Sequence, residues 1–285
     1  MKKLAILGPG LLGGSLALAV RKLLPECRIA VWGRRPTAVE EVRDAGIADI
    51  ASTELAPVVE GADLVVFCVP IGAMPTLARQ IVPLIVPEAL ITDVGSVKGP
   101  VVEAMVPIFE KAGRGKFVGS HPMAGSEQAG LTAARADLFH GAACILTPHH
   151  GLCPDALNAV AEFWKLLGCI TRTLSPEEHD RTVALVSHLP HLLASALVDF
   201  VCAESPDSVN FCGNGFRDTT RVASGPPEMW SEIFAFNRAA LHAHLETLIG
   251  RLQDVSRDLA AGNDLKMKEL LTNAKVHRDQ LKRGN

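Results

Sequence analysis

Short apolar runs alternate with amphipathic stretches through the first half of the chain. Residues 3–7, 28–32, 64–69 and 90–94 are runs of five or six residues closed by Gly8, Gly33, Pro70 and Gly95. Residues 11–24 and 36–45 between them are helical in composition. Apolar runs joined by helical segments predict right-handed crossovers and a parallel sheet covered on both faces, a doubly wound α/β domain. After two more runs, 117–120 and 143–146, the strand signal fades. Ser175-Pro176-Glu177-Glu178 then has the form of a helix start, with a serine cap, proline at the first helical position and acids in the first turn. Beyond it Leu241, Leu245, Leu248 and Leu252 recur at helical spacing, and residues 265–281 are charged and amphipathic. The pattern therefore predicts an α/β domain over residues 1–174 and an all-α domain over 175–285, with apolar stripes that suggest a partner surface.

Composition narrows the function classes. The 285 residues are 48 % hydrophobic and 21 % charged, enough for real cores and incompatible with a disordered chain. The net charge of -3, from 28 basic and 31 acidic residues scattered along the chain, offers no footprint for nucleic acid, so a small-molecule partner is expected. Seven cysteines, none in a C-x-x-C pair and several inside apolar runs, read as reduced thiols of a cytoplasmic protein. Lys2-Lys3 followed by an apolar stretch and Ala17-Leu18-Ala19 imitates a secretory signal, but cleavage there would remove the first strand. No continuous apolar run reaches the ~20 residues of a membrane span, and no membrane partner is expected.

Gly8-Pro9-Gly10-Leu11-Leu12-Gly13 is a G-x-G-x-x-G motif between the first strand and the first helix. There, glycines let the backbone approach a pyrophosphate and the helix N-terminus presents free N–H groups, as in a Rossmann-type domain. Val69 and Pro70, ending the third run, are counted with these cofactor contacts. A cofactor with a free ribose 2′-hydroxyl calls for a carboxylate at the end of the second strand. Arg34 and Arg35 stand there instead, and two guanidiniums suit a 2′-phosphate, so NADP is favoured over NAD.

Ligands of such sheets bind beyond the carboxyl ends of the strands, where two polar clusters fall: Gly95-Ser96-Val97-Lys98-Gly99, and Gly119-Ser120-His121-Pro122-Met123-Ala124-Gly125-Ser126-Glu127. Imidazole is a competent proton acceptor near neutral pH, whereas Lys98 would need its pKa lowered by several units. These clusters, with Ser187-His188-Leu189-Pro190-His191, Gly215-Phe216-Arg217-Asp218-Thr219-Thr220-Arg221-Val222-Ala223 and Met229-Trp230, make the sequence resemble the prephenate and arogenate dehydrogenases of tyrosine biosynthesis over essentially its whole length.

The resemblance implies an oxidative decarboxylation in which hydride leaves C4 of a cyclohexadienol for the nicotinamide. His121 would accept the C4 hydroxyl proton, and Ser96 would bond both that histidine and the hydroxyl beside the cofactor. It further implies Arg221 as the anchor of a substrate carboxylate, with His191, Ser126, Glu127, Asp218 and Trp230 near the pocket, and a homodimer through the C-terminal helices. His188 is expected to be a packed, hydrogen-bonded helix histidine. Neither His188/His191 nor His149-His150 has the acid or thiol ligands of a metal site, and no metal is expected. The alternatives are a β-hydroxyacid-type dehydrogenase of the same two-part plan and a non-enzymatic dinucleotide-binding redox sensor.

Overall fold

The structure is a computed structural model that describes residues 1–126 and 128–281. Eight strands form one sheet: β1 (Lys3–Leu7), β2 (Arg28–Trp32), β3 (Ile50–Ser52), β4 (Leu64–Phe67), β5 (Leu90–Asp93), β6 (Lys116–Pro122), β7 (Ala143–Thr147) and β8 (Ile170–Thr173). Their order is β3-β2-β1-β4-β5-β6-β7-β8. From β3 to β6 every pairing is parallel, in the doubly wound order with its switch point between β1 and β4. Helices α1 (Leu11–Leu23), α2 (Pro36–Asp44), α3 (Ala56–Val59), α4 (Met74–Ile81), α5 (Gly99–Ala112) and α6 (Pro154–Leu166) cover it. Alternate residues of β1 feed opposite faces: Leu4 and Ile6 join the core that contains α1 and α6 residues, Ala5 and Leu7 the core that contains α4 and α5 residues. That double burial is why these strands are continuous apolar runs.

The expectation of a wholly parallel sheet needs one correction. β7 runs antiparallel to β6, with Gly119 opposite Thr147 and Pro122 opposite Cys144. Among the described residues no helix crosses over between them; residues 123–126 and 128–142 include one 3-10 turn, Leu131–Ala133, and a strand that returns without a crossover pairs antiparallel. The pairing also lengthens β6, so His121 lies inside the strand rather than beyond it.

Strands end at Thr173. At Ser175 the expected capping box forms: the Glu178 N–H donates to Ser175 Oγ (3.2 Å) and the Ser175 N–H donates to the Glu178 carboxylate (3.0 Å). It starts α7 (Pro176–Val183), which passes through a π-helical turn, Ala184–His188, into α8 (Leu189–Glu204). α9 (Asn214–Thr220), α10 (Pro227–Phe236), α11 (Arg238–Ala260) and α12 (Asp264–Leu281) follow.

Against the expectation from continuous runs, Pro176–Glu204 is long and apolar enough to cross a membrane, with a mean hydropathy of 1.5 in its most apolar window. Its three histidines interrupt the apolar run while the leucines, valines and alanines around them keep the average high, and all three are buried in the polar site described below. Two compact units emerge, Met1–Arg238 and the chain from Ala239 onward. In the second, Asp258 receives Lys266 (3.2 Å) and the side chain of Asn263 (3.2 Å).

Candidate active site

Functional side chains are strung along the carboxyl edge of the sheet. Arg34 and Arg35 follow β2, the glycine motif follows β1, Val69-Pro70 follow β4, Ser96 follows β5, and His121 is the next-to-last residue of β6. Four strand spacings separate β2 from β6, about 19 Å, a span suited to an extended dinucleotide with its two ends read by different residues.

At the β2–β1–β4 end lies a cleft of about 560 Å³, within the usual range for ligand pockets, lined by Gly8, Gly10, Arg34, Arg35, Val69 and Pro70 among others. Leu11, Leu12 and Gly13 are not in its lining. Leu11 and Leu12 open α1, whose first turn carries no acid and whose N-cap Gly10 gives no side-chain bond, so its leading N–H groups are left for a ligand. Gly13 is structural: a Cβ there would stand 1.9 Å from the Gly8 carbonyl oxygen. Gly8 has φ +114°, and a Cβ on it would meet the Cys68 carbonyl oxygen at 2.3 Å, whereas nothing lies within 4 Å of one on Gly10. The result is a tight turn with one open face, a fit for a pyrophosphate.

At the β5–β6 end a chain of hydrogen bonds runs out of the sheet into α7. His121 Nδ1 lies 2.8 Å from His179 Nε2, and His179 Nδ1 lies 2.7 Å from Asp180 Oδ1. Asp180 also accepts the N–H groups of Lys98 (Oδ1, 2.6 Å) and Gly99 (Oδ2, 2.8 Å). A carboxylate so placed only accepts, so His179 donates through Nδ1–H, accepts at Nε2 the Nδ1–H of His121, and His121 Nε2 keeps its lone pair. Burial lowers the pKa of both rings, His121 well below the ordinary histidine value; for His121 the neighbouring His179 and Lys98 add to it, while Asp180 opposes the fall for His179.

Beneath the relay, Ser120 Oγ donates to the Asp93 carbonyl oxygen (2.6 Å) and receives the indole N–H of Trp164 (3.0 Å). Beside it, Asn237 Nδ2 donates to the Asp180 carbonyl oxygen (2.8 Å) and to His188 Nδ1 (3.2 Å). His188 is packed as expected and burial lowers its pKa to about 4, but its Nε2 has no hydrogen-bond partner among the described residues. His191 stacks on Trp230 with ring centroids 3.5 Å apart and planes 13° from parallel. Glu232, two residues further along α10, accepts the N–H groups of Ile71 (3.2 Å) and Gly72 (2.8 Å) and so ties this helix to the turn after Val69-Pro70.

Other expected residues stand apart from the relay. Ser96 is half-buried in the turn after β5 and makes no hydrogen bond with His121 among the described residues. Ser126 is exposed in the β6–β7 loop, accepting the Gln128 N–H (3.1 Å), and Glu127 lies outside the described residues. Asp218 is exposed on α9, and Arg221 is exposed just after it. Sequence reasoning missed His179, Asp180, Asn237 and Glu232. The signal for the first two was their place directly behind the Ser175 capping box, in the first turns of a helix beginning where the sheet ends.

A dinucleotide cleft on one end of a doubly wound sheet's edge and a tautomer-fixed imidazole on the other define a nicotinamide-dependent dehydrogenase. Comparisons with known proteins narrow the class. The nucleotide-binding domain of prephenate dehydrogenase matches residues 16–172 and the dimerization domain of prephenate dehydrogenase matches residues 175–273. The chain belongs to the prephenate dehydrogenase family. It is 32 % identical to the cyclohexadienyl dehydrogenase of Zymomonas mobilis, over 91 % of this chain and 89 % of that one. Prephenate dehydrogenase from Aquifex aeolicus, solved with hydroxyphenyl propionate and NAD+, superposes with a TM-score of 0.91 at 30 % identity, covering 99 % of this chain and 98 % of that one. Synechocystis arogenate dehydrogenase gives 0.82 at 28 % identity, covering 98 % and 99 %.

Proposed function

We propose that this enzyme oxidatively decarboxylates prephenate or arogenate in tyrosine biosynthesis, with His121 Nε2 as the proton acceptor. The observation that carries this reading is the relay from Asp180 through His179, which leaves His121 with a free lone pair on the nitrogen not bonded to protein. A nicotinamide dinucleotide, when bound, supplies the hydride acceptor. As hydride leaves C4, His121 Nε2 takes the hydroxyl proton, and the resulting imidazolium is stabilised through His179 by the Asp180 carboxylate. The bond from the ring to its carboxylate then breaks, its electron pair enters the ring, CO2 departs, and the C4 oxygen regains a proton as a phenol. Arg221 is the expected anchor of a substrate carboxylate, with Ser96, Ser126, Glu127, Asp218, His191 and Trp230 around the ring and side chain.

NADP is proposed as the preferred cofactor: Arg34 and Arg35 line the cleft and pair with no carboxylate among the described residues. The relative from Aquifex aeolicus was solved with NAD+, so both cofactors belong in the assay. Assembly is proposed as a homodimer through the C-terminal helices. Leu252, Leu259 and Leu271 are 52 %, 62 % and 69 % exposed, and the matching family domain is one of dimerization. Seven unpaired cysteines fit the reducing cytoplasm.

The test is reduced-nicotinamide absorbance with each substrate and each cofactor, for the wild type and His121→Asn. Turnover with at least one pairing and a loss of about a hundredfold or more in H121N are expected. Near-normal turnover in H121N overturns the assignment. Cofactor binding without turnover in any pairing would favour a redox sensor.

A further inference from the structure

Lys98 is fully buried in the turn between β5 and α5 and touches the relay at both ends. Its main-chain N–H donates to Asp180 Oδ1 (2.6 Å), and its ammonium donates to the carbonyl oxygen of Ser120 (2.9 Å), in the peptide group that leads into His121. The same ammonium is paired with the Asp93 carboxylate, which in turn accepts the N–H groups of Gly95 (2.8 Å) and Ser120 (3.1 Å). A buried lysine in a dehydrogenase site invites the role of proton acceptor, but the geometry denies it. The amine is sealed from the surface, and losing its proton would strand the Asp93 charge in the core.

We propose that the Lys98 side chain is the positioning residue of the proton transfer, its ammonium holding the Ser120–His121 peptide and setting the charge beside the ring, while the main-chain N–H groups of Lys98 and Gly99 hold Asp180. The proposal rests on the reading of His121 as the base. It has a consequence for charge. The groups facing the His121 ring are Lys98 from the β5–α5 turn, His179 from α7 and His188 from the π-helical turn, with Asp180 behind His179. The Lys98 cation adds to burial and to the neighbouring His179 in disfavouring protonation of the ring, by opposing a second positive charge beside it.

Nitrogen-15 histidine NMR titration, together with kcat against pH, tests this in Lys98→Arg, Lys98→Met and the double variant Asp93→Asn/Lys98→Met. K98M leaves Asp93 buried without a counter-ion, so the double variant, which removes both charges, is read alongside it. In the two Met variants the His121 titration is expected to rise, and the acid limb of kcat to move to higher pH with it. Turnover would then fall about tenfold or more near pH 6 and less near pH 8, because a raised pKa leaves the base protonated over more of the acid range. K98R, which keeps the cation, should titrate close to wild type. A His121 titration that overlays wild type in both Met variants, or K98R moving as far as K98M, overturns the proposal. Retained turnover in H121N would remove the base assignment and still leave the titration readable, so the two failures are distinguishable.

Discussion

Cofactor choice turns on single side chains. Arg34 and Arg35 are both exposed at the end of β2 and both line the nucleotide cleft, where a ribose-reading carboxylate would otherwise stand. The carboxylate that shares the cleft is Glu41 on α2, rather than Glu40, the next acid in sequence. On the proposed NADP reading, Arg34→Asp removes a phosphate clamp and installs a hydroxyl acceptor, and a charge-assisted bond is worth about 1.5–3 kcal/mol. The ratio of kcat/KM for NADP over NAD should therefore fall about tenfold or more, and an unchanged ratio would show that these guanidiniums do not read the ribose. At this scale, the placement of residues that stand in a local motif at a strand end was legible: the glycine turn, the arginines and His121 all fall at the carboxyl edge of the sheet. His179, Asp180, Asn237 and Glu232 were not, because each acts on a partner far away in the chain, and spacing carries no trace of a contact such as that of Glu232 with Gly72.

Elements position these side chains, and α7 shows how a local sequence rule reaches the site. Its capping box satisfies two otherwise orphaned N–H groups one turn before His179 and Asp180. Ser175→Ala should cost about 1 kcal/mol of stability, read as a lower Tm. Because the frayed turn carries the relay, kcat should fall while the KM for the cofactor holds; a stability loss with full turnover would mean that tertiary contacts alone fix α7. The same helix start was plain in the sequence, as were the continuous apolar strands β1, β2, β4 and β5. The edge strands were not. β3 is three half-buried residues and β8 is mostly exposed, so neither has an apolar run to announce it. The reversal of β7 was hidden for a different reason: strand direction depends on whether the connection crosses over, which composition does not encode.

Taken as a whole, the molecule encloses four imidazoles in one region, His121, His179, His188 and His191, each no more than 7 % exposed. Burial is the leading cause by which each is pushed below the ordinary value of 6.5. In the unfolded chain these rings take up protons near pH 6.5, whereas in the folded protein they resist doing so, so the unfolded state binds more protons in that window. Stability is therefore full above pH 6.5 and is lost as pH falls from there through the folded values. For His188 a fall from 6.5 to about 4 corresponds to about 3 kcal/mol at full expression. Carboxylates act lower: Asp49, Asp63 and Glu178, held below their usual range by N–H groups, lose their contribution only as pH drops beneath the ordinary carboxylate value. Thermal melts should thus show two descents, the first between about pH 6.5 and 4 and traceable to the imidazoles. His188→Gln, which retains an acceptor for Asn237 but does not titrate, should make that first descent shallower by the share of one of the four rings and leave the second in place. A wild-type Tm constant across the first window would mean that the buried rings admit protons without loss of packing, and the neutral relay would lose its physical basis.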